Sequence, residues 1–394
     1  MAASSKLTSM TCLVVAQMCA MSLWFTAAAI LPDMIREGGL DETRQALLTS
    51  MVQAGFVVGA LAISISGIAD RYDPRKVVAI CAVGAAAANA LLLITTVGSA
   101  AAIAARFVTG VLLAGVYPVG MKIATGWGVR DRGLLVGILV GALTLGTSTS
   151  YFASLLGGQD WRGVVVATSV VGAVGGLLVC AGGLGPFHAR APRFSARAIL
   201  LVWTERRIRL PFLGYLGHMW ELYAMWAWAA AIASASYAAS LDPIDAVRLG
   251  KLTAALAIGL GGLACIPAGL LGDRIGKAEV TIAAMIASGT AALLTAASFG
   301  GPAWLTFILI MLWGIAIIPD SAQFSALIAD AAPAQLAGSI LAFQTAVGFG
   351  LTIFTVQITP LLAARVGWVA VLYVLALGPG LGTVAMWRLR RTGA

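Results

Sequence analysis

Charge is scarce in this sequence. Asp, Glu, Lys and Arg make up 10% of its 394 residues, against roughly 25% in soluble domains, and that scarcity excludes an ordinary water-soluble fold. Histidine occurs only twice, and neither a nucleophile–base spacing nor a closed metal motif is present. Their lack argues against an enzyme, and no cofactor is expected. Of the five cysteines, Cys12, Cys19, Cys81, Cys180 and Cys265, none lies in a loop and none forms a C-x-x-C pair. A disulfide framework is therefore not expected, and the cysteines read as small apolar residues. Long polar connections are also missing, apart from the stretch 185–209.

What fills the chain instead is apolar sequence, 60% of all residues. Apolar runs of about twenty residues recur from end to end, the length needed for a helix to cross a bilayer. The chain reads as a polytopic, all-α membrane protein with spans near 9–31, 45–69, 76–97, 100–124, 132–156, 162–184, 210–237, 246–271, 278–298, 302–329, 336–360 and 366–389. Lys6, the following apolar run and Ala27-Ala28-Ala29 loosely mimic a signal peptide. The run is too long for that, and the topology needs it as a span.

The net charge of +9 is no nucleic-acid signal, because its basic residues sit in short loops on one side. With both termini cytoplasmic, eighteen basic residues face the cytoplasm and six face outside, leaving Arg106 within a span. The positive-inside rule therefore sets that orientation. Six of the eighteen lie in the 185–209 connection, where Phe194–Trp203 forms an amphipathic piece expected on the membrane surface.

An internal repeat divides the chain. Asp70-Arg71 follows span two and Asp273-Arg274 follows span eight, an offset of 203; Pro118 and Pro319 stand 201 apart, and Gly133 and Gly338 stand 205 apart. The expected units are an N-terminal six-helix bundle at 1–184, a basic linker at 185–209 and a C-terminal six-helix bundle at 210–394. Paired halves of this kind are typical of secondary transporters, with the binding site near the midplane.

On these landmarks the whole chain resembles the major facilitator superfamily. The second copy of the family's loop motif, Gly269-Leu270-Leu271-Gly272-Asp273-Arg274-Ile275-Gly276-Lys277, matches well. The first is looser, with Ser66 at the opening glycine and Asp73 at the later one. The resemblance implies that Asp70, Arg71, Asp273 and Arg274 gate the cytoplasmic side through helix termini. Arg106, Gly110 and Ala114 resemble a span-four pattern of proton-coupled members. Gly133, Gly137 and Gly141 in span five form a small-residue face suited to close packing where drug/proton antiporters carry a glycine-proline motif. Similarity to the nitrate/nitrite porters is partial: Gln53 stands where their span-two arginine would be, and Arg248 and Lys251 lie only near the outer end of span eight.

In this superfamily spans one, four, seven and ten line the substrate path, and the polar residues concentrate in those spans. His218 and Glu221 lie one helical turn apart in an otherwise oily segment. An ionisable side chain near the bilayer centre costs at least about 2.5 kcal/mol, and a carboxylate removed from water holds a proton more tightly. Glu221 is therefore the expected proton carrier, with His218 sharing or tuning the proton and Asp320, deeper toward the cytoplasm, as a second acid or an ion partner. Arg106, Tyr117, Trp24, Met21, Gln53, Met225, Trp228, Trp313, Gln323 and Gln344 are candidate substrate contacts. The expected function is proton-coupled uptake of a small solute, most readily an anion, by alternating access across a bacterial inner membrane. Protons, the solute and the lipid bilayer are the expected partners of a monomeric chain. The alternatives are a copper importer built on Met10, Cys12, Met18, Cys19 and Met21 of span one with His218, Glu221 and Met225 of span seven, a drug or metabolite antiporter, and a non-transporting receptor or assembly factor.

Overall fold

The computed structural model describes residues 5–38, 40–128, 132–156, 160–188 and 197–391. In chain order the helices are α1 (Lys6–Met21), α2 (Thr26–Gly38), α3 (Glu42–Ser66), α4 (Ile68–Arg71), α5 (Pro74–Ala90), α6 (Ala100–Leu113), α7 (Tyr117–Thr125), α8 (Arg132–Leu156), α9 (Trp161–Leu177), α10 (Arg197–Thr204), α11 (Arg206–Tyr237), α12 (Pro243–Ile275), α13 (Lys277–Ala297), α14 (Ala303–Ile317), α15 (Ser321–Ala331) and α16 (Ala334–Arg390). Ten helical segments are long and apolar enough to cross a membrane. Among them, Leu336–Arg390 holds two spans joined at Gly367, whose φ of 83° breaks the helix as only glycine does readily. The remaining span is α11, whose Trp, Tyr, His and Glu residues dilute its apolar character. The count among the described residues is therefore twelve.

The chain divides into two compact units, Met1–Ala191 and Pro192–Ala394. The linker does not stay separate from them. Phe187 N–H bonds the Gly126 carbonyl in the first unit at 3.0 Å, while α10 joins the second. There Val202 is buried with Ile208, Phe212, Ile328 and Ile340, and Trp203 packs edge-on to Phe212 at 5.7 Å. The amphipathic helix buries Val202 against the bundle while Leu200 and Trp203 stay exposed; Phe194 lies outside the described residues.

Three spans are broken rather than continuous. Span one is α1 and α2, span four is α6 and α7, and span ten is α14 and α15. Two breaks have a local cause. Pro118 and Pro319 each remove a donor and crowd the carbonyl four residues back, so the chain tightens there: Val116 N–H bonds Leu113 and Ser321 N–H bonds Ile318. The first break has no proline and depends on its neighbours, as described below.

Within each unit, bare backbone seams hold spans together. A Cβ on Gly110 would lie 2.0 Å from the Val52 carbonyl oxygen and one on Gly55 would lie 1.9 Å from that of Phe107, so α3 and α6 touch backbone to backbone. The second unit repeats the device: a Cβ on Gly261 would lie 2.3 Å from the Gly314 oxygen, and one on Gly314 would lie 2.4 Å from that of Ala257, joining α12 to α14. Gly55 and Gly261 are 206 positions apart, Gly110 and Gly314 are 204 apart, so the sequence repeat extends into packing. Of the span-five glycines, Gly137 does not serve this way. Nothing lies within 4 Å of a Cβ on Gly137; α8 instead meets α1 at Gly146, where a Cβ would be 2.4 Å from the Met18 oxygen.

The ends are tied by polar contacts. On the side predicted to be outer, Glu37 takes both guanidinium nitrogens of Arg162, at 2.6 and 2.8 Å, and Trp161 Nε1 at 2.6 Å. On the opposite side Asp73 caps α5 by accepting from Arg75 N–H at 2.9 Å. The Arg75 guanidinium bonds Asp73 at 2.7 Å and the Gly182 carbonyl at 2.7 Å. Lys122 donates to the Ala69 carbonyl at 3.1 Å.

Gly314→Val is expected to abolish folded yield, read as the monodisperse peak in size-exclusion chromatography of the detergent-solubilised protein. Gly338→Ala, with nothing within 4 Å of the new Cβ, is expected to leave it unchanged. A second expectation concerns Asp73, which the bond from the Arg75 side chain holds below the ordinary aspartate value of 3.8. Its contribution is complete above that value and is lost only as the pH falls through the lower folded one. Asp73→Ala should cost about 1 kcal/mol at neutral pH, and thermal unfolding should show that difference closing only below pH 3.8.

Candidate functional site

In the second unit α11 runs unbroken for 32 residues and carries His218 and Glu221, each 1% exposed. One turn apart, they face different neighbours. Glu221 Oε1 accepts from Trp313 Nε1 of α14 at 2.7 Å, and Oε2 accepts from the Ser288 hydroxyl of α13 at 3.0 Å. No cation stands within ion-pair distance of it among the described residues. His218 Nδ1 lies 2.9 Å from Asp320 Oδ1, close enough for an ion pair although not aligned as a hydrogen bond. Its other nitrogen, Nε2, has no hydrogen-bond partner among the described residues. Tyr215 and Phe324 surround the imidazole at ring distances of 6.3 and 5.8 Å.

Asp320 is brought here by the break after Ile317. It stands at the N-cap of α15 and is 2% exposed, where the helix's partial positive charge favours a carboxylate. His218 thus stands beside Asp320, in keeping with the ion-partner reading of that acid, while Glu221 one turn away keeps its own two donors.

Other candidates in this unit are spread more widely. Trp228 Nε1 bonds the Val356 carbonyl at 3.0 Å, so this residue joins α11 to α16. Gln323 lies against α12, where a Cβ on Gly272 would be 2.9 Å from its Oε1. Met225 is fully buried. Gln344 is 1% exposed, and neither atom of its amide is bonded among the described residues. Asp273 and Arg274 are exposed.

In the first unit the polar residues serve the break of span one. Leaving the helix at Ser22 frees carbonyls that have no water to turn to, and each finds a side chain. Thr26 and Ser150 donate to the Ser22 oxygen. Arg106 donates to Leu23 at 3.1 Å and to Trp24 at 2.5 Å. Arg106 also donates to Asn89 Oδ1 at 2.8 Å, and Asn89 in turn donates to Ser169 at 3.0 Å. Arg106 is fully buried, and among the described residues no carboxylate pairs with it. The expected substrate grip of Arg106 is thus turned onto the protein's own backbone. Trp24 packs edge-on to Phe56 at 4.9 Å. Gln53, with its amide oriented to suit its surroundings, donates to the Thr49 and Ser50 carbonyls at 2.8 and 3.0 Å. Tyr117 stands at the start of α7, beside the second break. Arg71 is exposed, and the side chain of Asp70 lies outside the described residues.

Met21 and Cys19, part of the copper alternative, face different helices. A Cβ on Gly146 of α8 would meet Met21 Cβ at 2.8 Å, and one on Gly175 of α9 would meet Cys19 Cβ at 2.1 Å. No group of three or more His, Cys, Asp or Glu residues gathers for a metal among the described residues.

Ser288 went unread in the sequence. A signal existed: Thr281, Ser288 and Thr295 recur every seven residues on one face of α13. Thr281 and Thr295 bond their own helix, whereas Ser288 also reaches α11.

Two bundles of membrane-crossing helices, with spans broken where polar side chains can receive the freed backbone and with buried acids beside one break, define a multi-pass helical secondary transporter. Residues 13–355 match the Major Facilitator Superfamily, and the chain belongs to that family. It is a family of transporters, not enzymes. Among solved structures, the D-xylose-proton symporter superimposes with a TM-score of 0.76 over 98% of each chain at 13% identity. A partially occluded inward-open form of the xylose transporter XylE from E. coli gives 0.75 at 12% identity, covering 98% of this chain and 99% of that one. A nucleoside transporter gives 0.71 at 16% identity over 98% and 99% of the two chains. At such identities the likeness is one of fold. A gallate transporter of Pseudomonas putida is 33% identical over 144 residues, spanning 32% of this chain and 31% of its own length.

If Trp313 is a donor to Glu221, the two are energetically coupled. A double-mutant cycle of Trp313→Phe and Glu221→Ala, read by thermal unfolding at neutral pH, should return a coupling of about 1–3 kcal/mol. Simple additivity would remove the bond from the account.

Proposed function

We propose that this transporter takes up a small organic anion together with protons across the plasma membrane, and that Glu221 carries the coupling proton. One observation supports this above the others: Glu221 is buried between two neutral donors, with no cation paired to it among the described residues. A carboxylate so placed is costly when charged and is relieved by a proton. The adjacent His218–Asp320 pair then answers the change of charge on Glu221, since Asp320 lies near enough to act on it electrostatically.

The anion class is favoured by the partial likeness to a gallate transporter, gallate being an aromatic carboxylate. Gln344 offers an amide unbonded among the described residues, with both a donor and an acceptor, suited to a carboxylate or a ring hydroxyl. Tyr117 and Trp24, beside the breaks of spans four and one, are the aromatic candidates. Arg106 contributes by holding Trp24's backbone in place rather than by gripping the solute. Asp70, Arg71, Asp273 and Arg274 remain the proposed gating residues at the cytoplasmic ends of spans two and eight, in the orientation set by the basic loops.

The test is uptake of radiolabelled gallate into proteoliposomes under an imposed proton gradient. Wild type should accumulate it; Glu221→Gln should fall to the level of protein-free vesicles while keeping gallate exchange at equal concentrations. Accumulation by Glu221→Gln at the wild-type rate would show that the proton travels elsewhere. Failure of a panel of aromatic carboxylates to move at all would reject the substrate class.

A further inference from the structure

The chemistry of the two groups touching Glu221 is unequal. Trp313 Nε1 is a donor and nothing else, so the oxygen it meets at 2.7 Å, Oε1, is held as an acceptor in every protonation state. A proton arriving on Glu221 is thereby directed to Oε2, which faces Ser288. The serine hydroxyl is both donor and acceptor. It lies 3.0 Å from Oε2 and 3.2 Å from the Met285 carbonyl of its own helix. It has one proton and two acceptors within reach, so it satisfies one of them at a time.

We infer that Ser288 is a positioning residue for the coupling proton, switching its hydroxyl between Glu221 and the Met285 carbonyl as Glu221 loses or gains that proton. With Glu221 ionised, Ser288 donates to Oε2. When a proton binds Oε2, the new O–H donates to the serine oxygen, and the serine proton rotates onto Met285. No bond to carbon changes and no proton is lost: one is added to Oε2 and one hydroxyl turns. Each oxygen stays satisfied in both states, so loading and unloading need no movement of α11 against α13. The inference rests on Glu221 as the proton carrier.

The surroundings permit this reading. From α13 the group facing Glu221 is Ser288, and from α14 it is Trp313, neither of which titrates in the accessible range. Asp320 at the α14–α15 break acts on Glu221 electrostatically, with His218 beside it. Cys265 of α12 lies toward Asp320.

The experiment is an infrared pH titration of the full chain in lipid vesicles, with the carboxylic acid band of Glu221 identified by its loss in Glu221→Gln. In Ser288→Ala the band should move to higher frequency, because the acid O–H no longer has an acceptor. The ionised form loses a charge-assisted bond, the stronger of the two, so the proton should be held about tenfold more tightly, a midpoint shift of about one pH unit. Ser288→Thr, which restores the hydroxyl, should return both readouts toward wild type. A band whose frequency and midpoint are indifferent to Ser288→Ala overturns the role of Ser288 and leaves Glu221 as the carrier. A Glu221 band absent across the titration overturns the carrier itself. A shift that Ser288→Thr fails to reverse assigns the effect to packing and also overturns the switch.

Discussion

In hydrocarbon, a backbone carbonyl that leaves its helix has no water to receive it, and the cost falls on whatever side chains can reach it. That constraint governs this molecule. It explains why Arg106, fully buried, points at two carbonyls and an amide, and why Ser150 of α8 reaches the Ser22 oxygen. The same constraint shapes the second unit differently. There the break after Ile317 presents an acid, Asp320, whose partner is an imidazole on the neighbouring helix. One bundle uses its buried cation to hold a broken helix; the other uses its break to bring two ionisable groups together.

Glu221 stands apart from both arrangements. Its neighbours are neutral and come from two further helices, so its charge is neither cancelled nor exposed. Such a carboxylate is cheap to build only if it spends much of its time protonated. This separates it from His218, three residues earlier on the same helix. One turn of α11 therefore supports two distinct polar environments.

Much of the architecture was legible in the sequence. Runs of apolar residues located the spans, and the Asp-Arg landmarks and the two prolines exposed the repeat. The break at Ser22 was hidden, because no local residue requires it; it depends on Arg106, more than eighty positions away. His218 and Glu221 stood out as expensive residues in an oily segment. Their partners did not. A serine in an alanine-rich helix carries no compositional signal, and which of two acids a histidine meets is decided by where a distant helix stops. The linker helix was legible as amphipathic, but the pattern does not say which of its apolar residues meet protein: Val202 is buried on the bundle, while Leu200 and Trp203 are exposed.

The glycine seams bear on how this protein can vary. Gly55 with Gly110, and Gly261 with Gly314, are places where two main chains touch and no side chain fits. A lineage drifting in sequence can exchange nearly every lipid-facing residue for another apolar one, yet these four positions have no alternative. In any survey of inactivating variants they would rank beside true solute contacts while touching no solute. Intolerance to substitution is therefore a poor guide to the transport path here, and maps of loss of function need a separate measure of folded protein before they are read as maps of binding.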